Sequence, residues 1–445
     1  MPVTHPVGSP TVREAPALRR LLPGRRRELT DWRPEDPAFW QAAGARIARR
    51  NLLWSVVAEH VGFWVWSLWS VLVLFLGPEY GVDPAGKFLL TALPTALGAL
   101  LRVPYARAVA VFGGRTWTVV SALLLLVPTV VTAAVLKPGT SYGTLLLTAC
   151  LAGVGGGNFA SSMANINAYY PQALKGWALG VNAGGGNLGV PAVQLAGLAV
   201  LATVGAGHPR LLVLLYIPLI VAAAVCAYLR MDDLRVPRPP GQLGALIGWR
   251  HTWLISLLYV GTFGSFIGFS FAFGQVLQVQ FADEFATPIS AAYLTFLGPL
   301  LGSLVRPVGG RLADRFGGAR VSLGAFAAMA GGALLALAAS RAHSLPLFVT
   351  AFTALFVLSG LGNGSTYKMI PTLCRTAPDG EARASALIGF AGAVGAFGGV
   401  LVNIAFRESF LAVGNGDGAY IAFVAAYVVC AGVTWAAYVR RSALR

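Results

Sequence analysis

Runs of about 20 apolar residues recur along almost the whole sequence after residue 51, with short polar connectors between them. A helix of that length is long enough to cross a hydrocarbon core about 30 Å thick. Charged residues make up only 11% of the 445 residues, whereas soluble domains carry about 25%. The pattern therefore excludes an ordinary soluble domain and predicts an all-α membrane protein.

The apolar windows and the turn signals between them predict twelve transmembrane helices. The longest polar connector, residues 230–250, follows the sixth of them, and it is expected to be a cytoplasmic linker between two six-helix halves, 51–229 and 251–445. Residues 1–50 contain no apolar stretch that would serve as a secretory signal. They are expected to form an Arg-rich cytoplasmic extension.

The formal net charge is +16, and the basic residues follow the predicted topology. With a cytoplasmic N-terminus, 25 of the 33 Lys and Arg fall on the cytoplasmic side, five fall outside, and Arg102, Arg306 and Lys368 lie within spans. This bias predicts a multi-pass protein of the inner (cytoplasmic) membrane with both termini in the cytoplasm. No single basic patch suggests nucleic acid as a partner.

Motifs for an enzyme, a metal site or a cofactor are not apparent in the sequence. The four cysteines form no CxxC pair and have no His at ligand spacing, so neither a disulfide framework nor a metal site is expected. There is no HExxH motif and no nucleotide-binding loop, and the glycine-rich runs lie inside apolar segments. We therefore expect no enzymatic activity and no cofactor.

An internal repeat places two of the intramembrane basic residues in register. A shift of 204 residues aligns LTALPTALGALLRVPY (90–105) with LTFLGPLLGSLVRPVG (294–309), so that Arg102 matches Arg306. An arginine in the bilayer centre costs between roughly 3 and more than 10 kcal/mol, which makes it a functional residue by default. Two arginines facing each other would form a charge-assisted clamp for an anion. The alternative is that each caps helix carbonyls or extends to the interface.

Five segments, taken in order, resemble the nitrate/nitrite porter family, the NarK-type branch of the major facilitators. They are GGGNFASSMANINAYYP (155–171), ALGVNAGGGNLGVPAVQ (178–194), LYVGTFGSFIGFSFAF (258–273), GNGSTYKMIP (362–371) and IGFAGAVGAFGG (388–399). The resemblance implies the major facilitator fold, with two pseudo-symmetric halves and a substrate bound between them near the membrane midplane. It also implies nitrate and nitrite as substrates, moved by alternating access.

The family's functional positions can be assigned by the same resemblance. The implied substrate contacts are Arg102, Arg306, Asn187, Tyr259, Phe63, Phe159 and Phe263, and the implied conformational glycines are Gly184, Gly185, Gly186, Gly389, Gly392 and Gly395. A flat anion with three equivalent oxygens suits the planar guanidinium fork better than a lysine ammonium. A functional monomer in the lipid bilayer is expected.

The sequence leaves the driving force open between two modes that the family contains. Glu59 is the one carboxylate within a predicted span, and with His60 and Lys368 it is a candidate for proton coupling. These residues favour nitrate/proton symport. Nitrate/nitrite antiport remains the alternative, because a pair of arginines is sufficient for exchange, and a major facilitator for another small anion is a third reading.

Overall fold

The computed structural model describes residues 28–205, 207–234, 246–374 and 380–440. Within these ranges, twelve long helices form the bulk of the protein. In chain order they are α1 Pro37–Phe75, α2 Pro84–Phe112, α3 Gly114–Val135, α4 Tyr142–Tyr169, α5 Gln172–Val204, α6 Pro209–Arg230, α7 Arg250–Gln280, α8 Leu297–Phe316, α9 Gly318–Arg341, α10 Leu345–Cys374, α11 Gly380–Val413 and α12 Asp417–Val439.

Eleven of these helices are long and apolar enough to cross a membrane, as judged from the described residues. The exception is α8, which matches the eighth predicted span but ends in a strongly charged turn containing Arg311, Asp314 and Arg315. A short helix, Ala292–Thr295, precedes it. The apolar sequence predicts the eighth span at 289–309. The helix is present, but it begins and ends later than this stretch and includes the polar residues up to Phe316.

The first helix begins much earlier than the apolar pattern indicates. Asp36 accepts hydrogen bonds from the backbone N–H groups of Ala38 (2.9 Å) and Phe39, and helix α1 continues from Pro37 through the boundary at residue 51. An aspartate at this position satisfies N–H groups that the first turn leaves unpaired. Residues 1–27 of the predicted extension, and residues 235–245 of the linker, lie outside the described residues.

A two-stranded parallel sheet, which the sequence analysis did not foresee, ties the start of the chain to the linker. Strand β1, Glu28–Leu29, pairs with strand β2, Asp233–Leu234. At the other end, the Tyr438 hydroxyl is hydrogen-bonded to His251 at 3.1 Å. Both ends of the described chain therefore lie on the same side as the linker, which we call the termini side; the opposite side is the far side.

The repeat is visible in the way the helices pack. A Cβ added at Gly98 of α2 would lie 3.2 Å from the carbonyl oxygen of Gly153 on α4. At the equivalent place in the second half, a Cβ at Gly360 of α10 would overlap the carbonyl oxygen of Gly302 on α8. Glycines let helix backbones approach this closely in a membrane. The two halves therefore build the same close contact between their second and fourth helices.

On the far side, the two halves are held together across the pseudo-symmetry axis. Thr91 of α2 donates a hydrogen bond of 2.7 Å to the side-chain oxygen of Asn403 on α11. Next to this bond, Phe88 stacks on Phe406 (centroids 5.7 Å apart) and on Phe410 (5.4 Å). All five side chains except Phe410 are buried. These contacts close the path between the halves on that side.

We expect Gly155→Ala to lower stability, because a Cβ at Gly155 on α4 would overlap the backbone carbonyl of Gly62 on α1. The overlapped atoms belong to the backbone, so no flexible side chain can move aside. Overpacking of this kind costs about 1–3 kcal/mol. The matched control is Gly180→Ala on α5, where nothing lies within 4 Å of an added Cβ. Thermal unfolding of the purified protein should show a lower midpoint for the first variant and an unchanged or higher one for the second. Equal midpoints would contradict the packing argument.

Candidate anion-binding site

Arg102 on α2 has no exposed surface. Its Nη1 donates a hydrogen bond of 2.6 Å to the carbonyl oxygen of Gly392 on α11, in the other half of the protein. Its Nε and Nη2 have no hydrogen-bond partner among the described residues. A buried donor left unpaired costs about 1–3 kcal/mol, and more when it is charged. These two N–H groups are therefore free to bind a ligand.

Arg306 on α8 is 6% exposed and has a similar environment. Its Nη2 donates to the Tyr259 hydroxyl at 3.0 Å, and its Nη1 has no partner within the described ranges. The guanidinium carbons of Arg102 and Arg306 lie 5.0 and 5.9 Å from the centroid of one ring, that of Phe263. The repeat thus brings its two arginines to the same aromatic side chain.

A stack of aromatic rings forms the floor under the two guanidinium groups. Phe263 stacks between Phe159 (centroids 5.9 Å apart) and Tyr259 (5.2 Å), and Phe63 meets Phe159 edge-on at 6.2 Å. The negative faces of such rings attract cations, and Arg102 lies 4.5 Å above Phe159. All four predicted aromatic residues therefore belong to one connected cluster, in which Phe159, Phe263 and Tyr259 contact the arginines.

A local change in helix geometry in α7 places two of these rings. A π-helical stretch, Val260–Gly264, directly follows Tyr259 and contains Phe263. One such turn holds an extra residue and often occurs at functional sites. Gly261 and Gly264 allow this turn to pack closely against its neighbours, because neither has a side chain. A Cβ at Gly264, for example, would lie only 2.7 Å from the Cα of Gly398 on α11.

Asn187 lies at a break in α5, where the helical segment Gln172–Asn187 ends and Gly189–Val204 begins. It is 1% exposed, and its side-chain oxygen has no hydrogen-bond partner among the described residues. A buried amide of this kind can supply neutral donors to an anion. Gly189, directly after the break, packs against Phe63 of the aromatic cluster, since a Cβ at Gly189 would lie 2.8 Å from the Cβ of Phe63. Asn187 is thus two residues away from a contact with that cluster.

Glu59 on α1 is buried among polar groups of three helices. Its Oε2 accepts a hydrogen bond of 2.7 Å from the side-chain amide of Asn182 on α5, and that amide also donates to the hydroxyl of Ser162 on α4 at 2.5 Å. The Ser162 and Ser55 hydroxyls are 3.0 Å apart. Glu59 is also close enough to both Arg102 and Arg306 for the charges to interact. Glu59 therefore lies near both arginines and is held by polar groups of α4 and α5.

The other two candidates for proton coupling occupy different places. The His60 ring nitrogen Nδ1 is 2.9 Å from the carbonyl oxygen of Gly185, so His60 fixes α1 to α5. Lys368 on α10 forms an ion pair of 2.7 Å with Asp314 on α8, and both side chains are roughly half exposed. The structure thus does not bring Lys368 to Glu59. The sequence offered no signal for the Asp314 pairing, because the two residues lie on different helices.

The six glycines with an implied conformational role have different surroundings. A Cβ would overlap Val56 at Gly185, the Glu59 carboxyl at Gly186 and the Tyr259 ring at Gly395. Gly392 offers its carbonyl to Arg102. Gly184 and Gly389 have nothing within 4 Å of an added Cβ, so packing does not require glycine there. Their role in helix movement stays a prediction.

Sequence reasoning missed three residues that the structure adds to this region: Trp66, Asn182 and Tyr367. The ring of Trp66 lies 5.4 Å from the guanidinium carbon of Arg102. The ring of Tyr367 lies 5.7 Å from the guanidinium carbon of Arg306. The buried hydroxyl of Tyr367 has no hydrogen-bond partner in the part of the chain that the structure describes. Helical spacing gives a partial signal, because Trp66 follows Phe63 by three residues and lies on the same face.

A cavity leads from this cluster toward the termini side. It begins at Arg102 and Phe159, and then passes Met163, Asn167 and Gly389. Asn167 is near the end of α4 and Gly389 near the start of α11, and both of these helix ends lie on the termini side. Thr91, Asn403 and the stacked phenylalanines close the far side, so among the described residues the cavity extends from the cluster toward the termini side.

Comparison with known proteins agrees with this geometry. The model of the Major Facilitator Superfamily matches residues 55–402. The nitrate/nitrite transporters NarU of Salmonella typhimurium and of Escherichia coli are each 40% identical over 93% of this chain and 96% of their own length. A probable nitrate/nitrite antiporter, NarK2 of Thermus thermophilus, is 32% identical over 93% of this chain and 97% of its own length.

These matches cover nearly the whole chain, and they agree with the helical architecture. They confirm the predicted fold and the resemblance drawn from the five segments. The chain is thus a multi-pass membrane protein of a transporter superfamily. It belongs to the NarK-type nitrate/nitrite porter family of the Major Facilitator Superfamily.

Proposed function

We propose that this chain transports nitrate and nitrite across the cytoplasmic membrane by alternating access, with one anion held between Arg102 and Arg306. The observation that carries the proposal is the set of unpaired N–H groups on the two buried guanidinium groups. No carboxylate lies within ion-pair distance of either group in the described ranges. A bound anion would supply the missing acceptors and screen the repulsion between the two cations.

The shape of the site favours a small planar anion. The floor beneath the arginines consists of the stacked rings of Phe159, Phe263 and Tyr259. A flat ion can lie along such a floor and face both guanidinium forks edge to edge, whereas a tetrahedral phosphate or sulfate would press an oxygen into the rings. The neutral donors of Asn187 and Tyr259 would complete the contacts.

The closed far side and the cavity on the termini side correspond to one of the two states that alternating access needs. In this state the anion would exchange with the termini side, which the distribution of Lys and Arg predicts to face the cytoplasm. We propose that movement of the halves breaks the Thr91–Asn403 bond and closes the cavity. A monomer contains all the parts of this cycle.

For the driving force, we propose nitrate/proton symport with Glu59 as the group that carries the proton. The position of Glu59 supports this, since it is fully buried, lies within the field of both arginines and has one oxygen, Oε1, without a hydrogen-bond partner among the described residues. Nitrate/nitrite antiport is the second candidate. The observation in its favour is that Arg102 of the first half already donates a hydrogen bond to the Gly392 carbonyl of the second half, so the guanidinium group can couple anion binding to movement of the halves without a proton carrier.

We expect Arg102→Lys to reduce nitrate uptake by about 10- to 100-fold, because an ammonium keeps the charge but cannot place two N–H groups in the plane of the anion. Uptake of labelled nitrate into proteoliposomes checks this. The matched control is Arg115→Lys, a buried arginine of α3 that donates to the carbonyl of Tyr228, away from the site; it should transport normally. Uptake of the Arg102 variant at the wild-type rate would contradict the planar clamp.

We expect Glu59→Gln to abolish nitrate accumulation driven by a pH gradient while leaving nitrate/nitrite exchange in place, because the amide keeps the shape of the side chain but does not take up a proton. The control variant is Glu284→Gln, in an exposed turn of the far side. If the wild-type protein accumulates nitrate only when nitrite is preloaded, symport is wrong and antiport is the mode. If the Glu59 variant keeps pH-driven accumulation, Glu59 has a structural role only.

A further inference from the structure

We propose that Asn182 is the positioning residue of the proton-binding site: its amide holds one oxygen of the Glu59 carboxylate, so that the proton binds at the other oxygen, against the break in α5. This inference rests on the symport proposed above. It adds a residue that is neither one of the implied substrate contacts nor part of the arginine pair. The evidence is the geometry of the polar cluster between α1, α4 and α5.

The two oxygens of Glu59 have different surroundings. Oε2 accepts the 2.7 Å hydrogen bond from Asn182, whereas Oε1 has no hydrogen-bond partner within the described residues. The Asn182 amide is itself fixed, since it also donates to Ser162 at 2.5 Å. Asn182 is fully buried, so its amide cannot turn to water instead. Ser162 also interacts with the Glu59 carboxyl group, so Asn182 and Ser162 together hold that group in one orientation.

The unpaired oxygen lies against the backbone of Gly186. A Cβ added at Gly186 would overlap Oε1, so glycine is required there for the carboxyl group to fit. The next residue is Asn187, which ends the first helical segment of α5 and is a proposed substrate contact. A proton on Oε1 turns an acceptor into an O–H donor beside this break. Proton binding at Oε1 and the position of Asn187 are thereby linked through the one peptide bond between Gly186 and Asn187.

The charged and titratable groups around Glu59 come from several helices. Arg102 of α2 and Arg306 of α8 act on it as cations, and Tyr367 of α10 is near enough for an electrostatic interaction. His60, its neighbour on α1, is engaged with Gly185. Both arginines attract the charged form of the carboxyl group. An anion bound between them would offset that attraction, so anion binding favours proton uptake.

The proton cycle balances without another reactant. When the anion binds, a lone pair of Oε1 forms an O–H bond with a proton delivered from water. When the anion leaves, that bond breaks and the proton returns to water on the other side. The hydroxyls of Ser162 and Ser55, 3.0 Å apart, continue the polar cluster from Asn182 along α4 and α1. Ser55 precedes Glu59 by one helical turn, on the termini side.

The test measures nitrate accumulation driven by a pH gradient in proteoliposomes, as a function of external pH, with nitrate/nitrite exchange as a readout of correct folding. In Asn182→Leu we expect the midpoint of the pH profile to rise by at least about one pH unit, because the lost hydrogen bond favoured the carboxylate. In Asn182→Asp, which keeps the shape of the side chain, a second carboxyl group beside Glu59 should raise it further. Exchange should continue in both variants.

The matched control is Asn158→Leu, which removes a buried amide of α4 that has no hydrogen bond among the described residues. It should keep the wild-type midpoint. Unchanged midpoints in both Asn182 variants, or an equal rise in the control, would overturn the role of Asn182 and leave symport standing. Absence of pH-driven accumulation in the wild-type protein would overturn both. If the Leu variant loses exchange, the Asp variant decides alone.

Discussion

The confinement of two arginine side chains in one buried site is the constraint on which the rest of the structure depends. Arg102 and Arg306 are 0% and 6% exposed and lie over the same phenylalanine ring. Unpaired charge in such a place is expensive. The protein offsets part of this cost with one carbonyl, one phenol and the faces of several aromatic rings. The N–H groups that remain unpaired are the ones available to an anion.

The same interactions connect the site to the movement of the two halves. Arg102 belongs to the first half, yet the one hydrogen bond that it forms with the described residues goes to Gly392 in the second half. Phe159 of the first half likewise stacks on Phe263 of the second. An anion bound to the unpaired N–H groups of Arg102 would share the guanidinium group with the Gly392 carbonyl, and would thereby alter a contact between the halves. The guanidinium group of Arg102 thus takes part both in anion binding and in a contact between the halves. An anion can therefore bind the two conformational states with different affinity, which is what shifts a protein from one state to the other.

Sequence reasoning succeeded where a signal repeats or is long. The apolar runs predicted the helices, and the 204-residue repeat predicted that Arg102 and Arg306 share a site. It was less successful where position depends on packing between distant segments. Nothing in the sequence indicates that Lys368 pairs with Asp314, that Asn182 holds Glu59, or that Glu28–Leu29 pairs with the linker. Each of these contacts joins residues on different helices or loops, and periodicity reports only which face of its own helix a residue occupies.

The helix ends illustrate the same limit. The apolar window for the first span begins near residue 52, but a capping aspartate at residue 36 extends the helix well into polar sequence. In the eighth span, the charged turn beyond Arg306 is helical although it is not apolar. Hydropathy detects the part of a helix that lies in lipid, whereas caps and tertiary contacts determine where the helix begins and ends.

The central claim is that Arg102 and Arg306 bind one and the same anion, and a double-mutant cycle on nitrate affinity tests it most directly. Nitrate binding to the purified protein would be measured for the wild type, Arg102→Lys, Arg306→Lys and the double variant. If both arginines clamp a single anion, each single change should weaken binding nearly as much as both together, with a coupling free energy of about 1 kcal/mol or more. Strictly additive losses would contradict a shared ion and would mean that the two arginines act independently.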